Sequence, residues 1–315
     1  MNSNRPIPIV AVLLAASALV VACGASSGPL GTIPTASASA EPSVAQGSPD
    51  ATPSDEPSTA PSDEPSGSTE PGASITQSPS PSGTTILRAY FWLGGLPGSE
   101  GPVAVLRTVP ATKSVATAAV TALLAGPTAA ETGRAITTQI PSGTQVLGLS
   151  IDKSVATINL SAEFVGSGDS AAVQTRQAQV TYTITQFPTV KSVIFQIEGV
   201  QLGDPATRAT YAALLPDIWV DRPAFNAAIG NPAHVTGNAN VFEATFRVSI
   251  LDGSGKVIAD VQVMATCGTG CRGTFDTTIP YTVSKAQYGI LRAYNPSAKD
   301  GTPESIRDYR VWLTP

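Results

Sequence analysis

The feature that most constrains the fold of this chain is an abrupt change in composition near residue 85. Residues 24–85 consist mainly of Ser, Pro, Thr, Ala, Gly and Glu, contain no Phe, Tyr or Trp, and carry no Lys or Arg. Such a segment cannot bury enough apolar surface to recover the entropy lost when its backbone is ordered. The sequence therefore predicts a disordered linker that ends at residue 85, and a packed core must come from residues 86–315.

A short apolar run precedes this linker. It extends from Val10 to Ala22, follows a start whose only charged side chain is Arg5, and is closed by Cys23. The run is too short to span a membrane stably and is typical of a secretory signal peptide. We therefore predict a signal peptide over residues 1–22.

The end of that run, Val20-Val21-Ala22-Cys23, resembles the lipobox of bacterial lipoproteins. The resemblance implies cleavage before Cys23 and diacylation of its sulfur, with palmitate among the expected chains. The mature protein would then be a lipoprotein, anchored at the outer side of the cytoplasmic membrane by its first residue. The alternative is an ordinary secretory signal in which a cysteine falls at the cleavage point.

The part of the chain that can fold is nearly neutral. The whole chain has 18 basic and 23 acidic residues; seven of the acids fall in the linker, and Arg5 falls in the signal peptide. This leaves 17 bases and 16 acids from Ile86 onward. Proteins that bind nucleic acid carry a basic patch or stripe. None is visible here, and we expect no nucleic-acid partner.

Only two cysteines follow Cys23, and they are close in sequence. Cys267 and Cys271 are separated by three residues, so a tight loop could join them in an oxidising compartment, and we predict a disulfide. A redox pair would have two intervening residues and precede a helix, whereas this pair follows a strand-like segment. Half of a zinc site would need further ligands, and the only histidine, His234, is distant in sequence.

Residues 86–203 alternate between strand and helix patterns, which predicts an α+β domain. A first helix is predicted over 112–125, and a second begins at Asp169 or Ser170, either of which can act as its N-cap. A stripe gives the second helix a buried face, and its members are Val173, Gln177, Val180, Ile184 and Phe187. Strands are predicted over 86–93, 103–109, 136–140, 146–151, 155–160 and 190–197.

Three motifs in this region resemble the GerMN domain, which is named for sporulation and spore germination lipoproteins. They are Leu124-Ala125-Gly126-Pro127, Ile140 to Thr144 with Val146 to Gly148, and Thr181 to Pro188 with Val193 to Gly199. The resemblance covers the domain and implies a role tied to spore assembly or germination, with self-association as a further property. One departure is Asp152-Lys153-Ser154, where the family more often turns its hairpin with a glycine.

Residues 218–315 consist of strand patterns separated by turn residues, with no long helical stripe. Alternation over 242–250, a turn at Asp252-Gly253-Ser254-Gly255, and strands over 257–264, 274–281, 288–294 and 307–313 predict a two-sheet β-sandwich. Segments of this region resemble the immunoglobulin-like domain of bacterial spore germination proteins, which often follows a GerMN domain. These segments are Asn231-Pro232-Ala233, Val235-Thr236-Gly237, Val241-Phe242-Glu243, Asp252-Gly253 and Ser297 to Gly301.

No catalytic arrangement is apparent in either domain. His234 reads as a surface or turn residue, and Gly166-Ser167-Gly168 reads as a plain linker that lacks the lysine of a phosphate loop. Tyr90, Phe91 and Trp92 are expected in the core rather than in a carbohydrate-binding platform, because consecutive strand residues point to opposite faces and at most some of them can be exposed. A glycosidase needs a pair of facing carboxylates. We interpret the candidate carboxylates as solvent-exposed residues in turns, and they are Asp217, Asp221, Glu243 and Asp300.

We therefore expect no catalytic, cofactor-binding or metal-binding residues and no enzymatic activity. The sequence favours a lipid-anchored cell-envelope protein that contacts the membrane through its N-terminal lipid and binds envelope proteins or wall polymer. Its expected location is extracytoplasmic. The alternative is an envelope hydrolase that acts on peptidoglycan or polysaccharide through a carboxylate pair.

Overall fold

The computed structural model describes residues 83–95 and 98–315. The predicted signal peptide, Cys23 and the predicted linker lie outside the described residues. The first part of the described chain contains β1 (Thr84–Leu93), β2 (Gly101–Pro110), α1 (Val115–Leu124), α2 (Ala129–Thr132), β3 (Ile136–Thr137), β4 (Val146–Asp152), β5 (Val155–Leu160), α3 (Ser170–Ile184), β6 (Ser192–Ile197) and β7 (Val200–Gln201). The second part contains β8 (Ile218–Arg222), β9 (Ala228–Ile229), β10 (Ala233–Ala239), β11 (Thr245–Leu251), β12 (Val257–Met264), β13 (Gly273–Ile279), β14 (Gln287–Pro296) and β15 (Pro303–Leu313).

The first domain has two sheets and an α+β fold, as predicted. One sheet has the strand order β2-β1-β3, and its β1–β2 hairpin pairs from Thr84 opposite Pro110 to Leu93 opposite Gly101. The other has the order β4-β5-β6-β7, in which β5 and β6 run parallel and are connected through α3. The predicted strand over 136–140 is shorter in the structure, where only Ile136 and Thr137 pair with β1.

The second helix is buried on more of its surface than the sequence predicts. Asp169 caps α3 as predicted, because its side chain accepts from the backbone N–H of Ala172 at 2.8 Å. However, every residue from Ala178 to Ile184 is buried. The helix packs on strands of both sheets, β1 and β6, and on α1, so its last two turns have no solvated side.

Polar side chains of α3, and of Gln186 just beyond its end, close the edge of β1 that β3 leaves unpaired. Gln186 pairs with Arg88, accepting from its backbone N–H at 2.9 Å and donating to its carbonyl at 2.7 Å. Thr183 Oγ1 accepts from the N–H of Tyr90 at 3.0 Å, and Gln179 donates to the Tyr90 carbonyl at 3.2 Å. These bonds satisfy backbone groups that would otherwise be buried without partners, which explains why polar residues lie inside the domain.

The second domain is a two-sheet β-sandwich, as predicted. One sheet has the order β13-β10-β8, and the other has the order β12-β11-β14-β15-β9. All their pairings are antiparallel except the short one between β15 and β9. The prediction that strand alternation begins at Phe242 was wrong. Glu243 and Ala244 have φ of 54° and 59°, so the chain turns there, and β11 begins only at Thr245.

The buried apolar side chains form one cluster that extends through both domains. In β1 the side chains of Ala89, Tyr90 and Phe91 are fully buried. This confirms Tyr90 and Phe91 as core residues, whereas Trp92 is half-buried. Both faces of this strand are therefore covered. The predicted division between residues 203 and 218 stays a prediction, since the core continues across it.

Candidate functional site at the domain junction

A buried tyrosine and a carboxylate from different domains meet at the junction. Tyr90 of β1 donates its hydroxyl to Asp221 Oδ1 of β8 at 2.5 Å. Burial raises the pKa of Tyr90, and the negative charge of Asp221 raises it further. Tyr90 therefore stays protonated at neutral pH and acts as a hydrogen-bond donor to the carboxylate.

Two arginines surround the same carboxylate. Arg208 Nη1 lies 3.4 Å from Asp221 Oδ2, and Arg88 Nη1 lies 3.8 Å from it. Arg208 also donates through Nε to Thr185 Oγ1 at 2.9 Å and through Nη2 to the Tyr182 carbonyl at 3.2 Å. Its guanidinium lies over the ring of Tyr182, 4.9 Å from the centroid. Asp221 is thus compensated by two cations and one hydroxyl.

An aromatic contact continues this network into the second domain. The ring of Tyr182 meets the ring of Trp219 edge-to-face, with centroids 5.2 Å apart. Burial raises the pKa of Tyr182 to about 12. A general acid or base works best with a pKa near the operating pH. The pKa values of both buried tyrosines are shifted away from that range, and the hydroxyl of Tyr90 and the ring of Tyr182 contact residues of the second domain.

A second set of contacts joins Ser99 and the first residues of β2 to the second domain. Arg307 is buried and donates to the carbonyls of Ser99, of Gly101 at 3.1 Å and of Pro102 at 3.0 Å. Trp219 Nε1 donates to the Pro102 carbonyl at 2.7 Å. The side chains of Arg307 and Trp219 therefore satisfy backbone acceptors of the first domain.

The four carboxylates singled out from the sequence have separate environments. Asp217 accepts from Ser305 Oγ at 3.0 Å, Asp300 accepts from Thr302 Oγ1 at 2.7 Å, and Glu243 lies in an exposed turn. The interpretation of Asp221 as a solvated turn acid was wrong. It lies in β8, and its side chain is 20 % exposed because the junction covers it.

Two other expectations change in their detail. His234 is an exposed residue of β10 rather than of a turn, and its Nε2 lies 2.7 Å from Asp276 Oδ1. The segment read as a plain linker has a packing role. A Cβ at Gly168 would lie 2.6 Å from Arg176 Nη2, and Arg176 donates to the carbonyl of Phe164 at 2.8 Å. The missing side chain leaves room for that buried guanidinium.

Cys267 and Cys271 form a disulfide, and their Cα atoms are 6.0 Å apart. The loop that it closes is fastened to the turn before β11, because Thr269 N–H donates to the Val241 carbonyl at 3.0 Å and Glu243 N–H to Thr269 Oγ1 at 3.2 Å. Within residues 83–95 and 98–315, no group of three or more His, Cys, Asp or Glu side chains is placed to hold a metal ion. In the same ranges no helix has the length and apolar character needed to cross a membrane.

The fold and the junction define a two-domain module in which an α+β domain is followed by an immunoglobulin-like sandwich. Residues 88–203 match the Germane family, described as sporulation and spore germination. Residues 217–302 match the Gmad2 family, described as the immunoglobulin-like domain of bacterial spore germination. The chain therefore contains a Germane domain followed by a Gmad2 domain.

Three solved structures are similar to parts of the chain. The tandem GerMN domains of the sporulation protein GerM from Bacillus subtilis are 19 % identical over 43 % of this chain and 49 % of theirs, with a TM-score of 0.32. The first GerMN domain of that protein is 24 % identical over 39 % of this chain and 95 % of its own, with a TM-score of 0.32. A putative lipoprotein from Clostridium perfringens is 19 % identical over 42 % of this chain and 94 % of its own, with a TM-score of 0.28.

The chain thus spans about half the length of the tandem-domain structure. No curated protein matches the sequence.

Sequence reasoning did not identify the residues that build the junction. Arg208 lies between the predicted domains, and Arg307 lies in a predicted strand, and neither belongs to a motif. A weak signal was available in β8, where Asp221 follows three apolar residues, Ile218 to Val220. A carboxylate directly after a buried strand segment is expected to be partly buried itself, and a buried charge needs a cation or a hydrogen-bond donor beside it.

Proposed function

We propose that this chain is a non-catalytic, lipid-anchored cell-envelope protein. It makes protein or wall-polymer contacts on the outer side of the cytoplasmic membrane, in spore assembly or germination. The observation that carries the proposal is the presence of a Germane and a Gmad2 domain in one chain. The descriptions of both families name spore germination. The use of Tyr90, Asp221 and Arg208 to join the domains supports a contact module over a catalyst.

The lipid anchor is tested by metabolic labelling of the host with a palmitate analogue. The wild-type protein should be labelled and should fractionate with membranes, and Cys23→Ser should be unlabelled and released. Cys267→Ser with Cys271→Ser is the matched control, because it removes the other two cysteines of the chain and should retain the label. An unlabelled wild-type protein would overturn the anchor.

The role in spores is tested by deleting the gene in its host and restoring either the wild type or Cys23→Ser. Deletion should lower the yield of heat-resistant spores or slow germination. The wild type should restore the phenotype, and Cys23→Ser should restore it only in part, because the untethered protein is diluted from the membrane surface. Normal spore yield and germination in the deletion strain would contradict the proposed role.

An envelope hydrolase is the competing function, and it predicts turnover. Purified mature protein, incubated with peptidoglycan sacculi, should release no muropeptides or sugars above a heat-inactivated sample. Release that Asp217→Asn or Asp300→Asn abolishes, while Lys285→Gln leaves it unchanged, would replace the contact function with hydrolysis.

A further inference from the structure

A second feature of the domain junction is a cleft of about 580 Å³ lined by four arginines and one carboxylate. Arg134 follows α2 in the first domain, whereas Arg292, Arg307, Asp308 and Arg310 lie on β14 and β15 of the second. The lining therefore has an excess of three positive charges. The folded part of the chain is nearly neutral, so this is a local concentration of charge.

Only one of the four guanidinium groups is neutralised. Arg292 forms a two-point ion pair with Asp308, with Nε to Oδ1 at 2.8 Å and Nη2 to Oδ2 at 2.7 Å. Among the residues that the structure describes, none of the other three forms an ion pair with a carboxylate.

Arg307 is the strongest indication that an anion belongs there. Its side chain is 2 % exposed, and its partners are backbone carbonyls and the hydroxyl of Tyr309. These groups satisfy its N–H donors but carry no net charge. A buried cation without a counter-ion is costly, and an anion bound in the cleft would offset that cost.

Arg310 is held in position by neutral groups. Its Nη1 donates to Asn226 Oδ1 at 2.8 Å, and its guanidinium stacks on the ring of Tyr288, 3.2 Å from the centroid. Stacking fixes the plane of the guanidinium, so less entropy is lost when the remaining donors bind a ligand. Arg310 is therefore oriented without being neutralised.

We propose that this cleft binds the phosphate groups of an anionic, phosphodiester-linked wall polymer. The planar fork of arginine matches phosphate oxygens in two-point hydrogen bonds. Arg134 and Arg310 can donate to phosphate oxygens directly, whereas Arg307, whose donors are taken by protein groups, contributes its positive charge. The inference rests on the proposed envelope location and names the polymer class that the module would contact.

A wall polymer fits this cleft better than a lipid surface does. A bilayer presents a flat array of headgroups, and binding to it is normally supported by apolar or aromatic side chains that insert beside the charges. Here the arginines line a concave site. None of the large apolar side chains exposed in the described part of the chain belongs to its lining.

The test is co-sedimentation of the full mature chain, carrying Cys23→Ser so that no lipid contributes, with wall sacculi. The wild-type background should bind intact sacculi and should lose binding once phosphate-bearing polymer has been extracted. Arg134→Gln with Arg310→Gln should weaken binding about tenfold, since each removes a charge-assisted contact. Lys285→Gln with Lys299→Gln removes the same charge from exposed sites outside the cleft and should leave binding unchanged.

In the same co-sedimentation assay, Asp308→Asn should increase binding to the polymer. It releases Arg292 and adds one positive charge to the lining, so binding should tighten about two- to fivefold and become more sensitive to salt. Equal binding by the arginine and lysine pairs, or equal binding to extracted sacculi, would overturn the proposal. Preferential binding to anionic phospholipid vesicles would overturn it in favour of a membrane ligand.

The two proposals fail separately. Palmitate labelling of Cys23 does not depend on Arg134 or Arg310, so a labelled protein that ignores phosphate polymer removes only the cleft assignment. If the protein is unlabelled but its purified form still binds the polymer through these arginines, the lipid anchor is contradicted and the polymer-binding cleft is supported.

Discussion

At the scale of single residues, the carboxylate of Glu131 is compensated by an arginine and by a backbone N–H group. Arg107 donates Nη1 to Oε1 and Nη2 to Oε2, each at 2.7 Å. The N–H of Thr128 donates to Oε2 at 2.8 Å, which completes a capping box on α2. Burial alone would raise the pKa of Glu131, but the bonds from Arg107 and Thr128 outweigh it, so the pKa is lowered.

This lowered pKa predicts a pH-dependent contribution to stability. The ionised form stabilises the folded state, so the contribution is fully present above the unfolded pKa and is lost as pH falls through the lower folded pKa. Glu131→Gln should reduce the free energy of unfolding by about 1–3 kcal/mol at pH 7, and the difference from wild type should shrink between about pH 5 and pH 3.

Denaturant titrations at several pH values measure this difference. Glu304→Gln, which removes the same charge from an exposed position, is the matched control and should change stability little at any pH. A Glu131→Gln difference that does not vary with pH would contradict the role given to the ion pair.

Asp221 shows at the same scale where sequence reasoning reaches its limit. An acid near a strand end looks the same in sequence whether it faces water or a neighbouring domain. Its hydroxyl partner, Tyr90, is 131 residues away. Only the packing of the domains brings the two together.

At the scale of elements, the hairpin between β4 and β5 shows how tertiary contacts replace a glycine. Lys153 and Ser154 both have positive φ, 45° and 68°, in a two-residue turn that normally favours Asn-Gly. The carbonyl of Ser154 accepts from the N–H groups of Lys191 at 2.8 Å and Ser192 at 3.3 Å, next to β6. The departure from the family pattern therefore leaves the turn in place, and the neighbouring strand supports it.

Two glycines in strands, one crowded and one with open space around it, allow a prediction with its own control. Gly237 lies at the irregularity where β10 pairs with β8, and a Cβ there would collide with the carbonyl of Trp219 and lie 2.7 Å from Cζ of Phe275. Gly148 lies in the edge strand β4, where the nearest atom to a Cβ is 4.0 Å away. Only the first position requires the absence of a side chain.

We expect Gly237→Ala to lower the free energy of unfolding by at least about 2 kcal/mol, because the backbone of β8 must move. Gly148→Ala should leave stability unchanged or raise it by about 0.5–1 kcal/mol, because alanine loses less entropy on folding. Thermal unfolding of both variants measures the contrast. Equal effects would show that β8 and β10 do not approach as closely as described.

Helix α3 shows what periodicity predicts and what it misses. The 3.6-residue pattern located the helix and its cap, because apolar side chains that share a face repeat at that spacing. It did not predict that Gln179 and Thr183 of α3, and Gln186 just beyond its end, are turned toward β1. Their role depends on unpaired backbone groups in another element, which no pattern within the helix records.

At the scale of the whole molecule, one apolar cluster and one polar network join the two domains. Domains that share a core are expected to unfold together. In a calorimetric scan of the mature chain, we therefore expect a single unfolding transition. Its calorimetric enthalpy should equal its van't Hoff enthalpy.

Tyr90→Phe tests the junction directly. Loss of a buried hydrogen bond to a carboxylate should cost about 1.5–3 kcal/mol and lower Tm without splitting the transition. Tyr288→Phe is the control, since that ring is 42 % exposed and lies outside this network. Two separate transitions in the wild-type protein would show that the domains are independent.

The sequence by itself determined which part of the chain can form a core, the α+β and sandwich classes of its domains, and most of its helices and strands. These properties follow from composition and from side-chain spacing along short segments. The tertiary structure alone decided that Asp221 and Arg208 join the domains, and that Arg134, Arg307 and Arg310 line one cleft. Residues far apart in sequence acquire such roles only through the packing of elements, because the burial and charge around a side chain depend on what is folded against it.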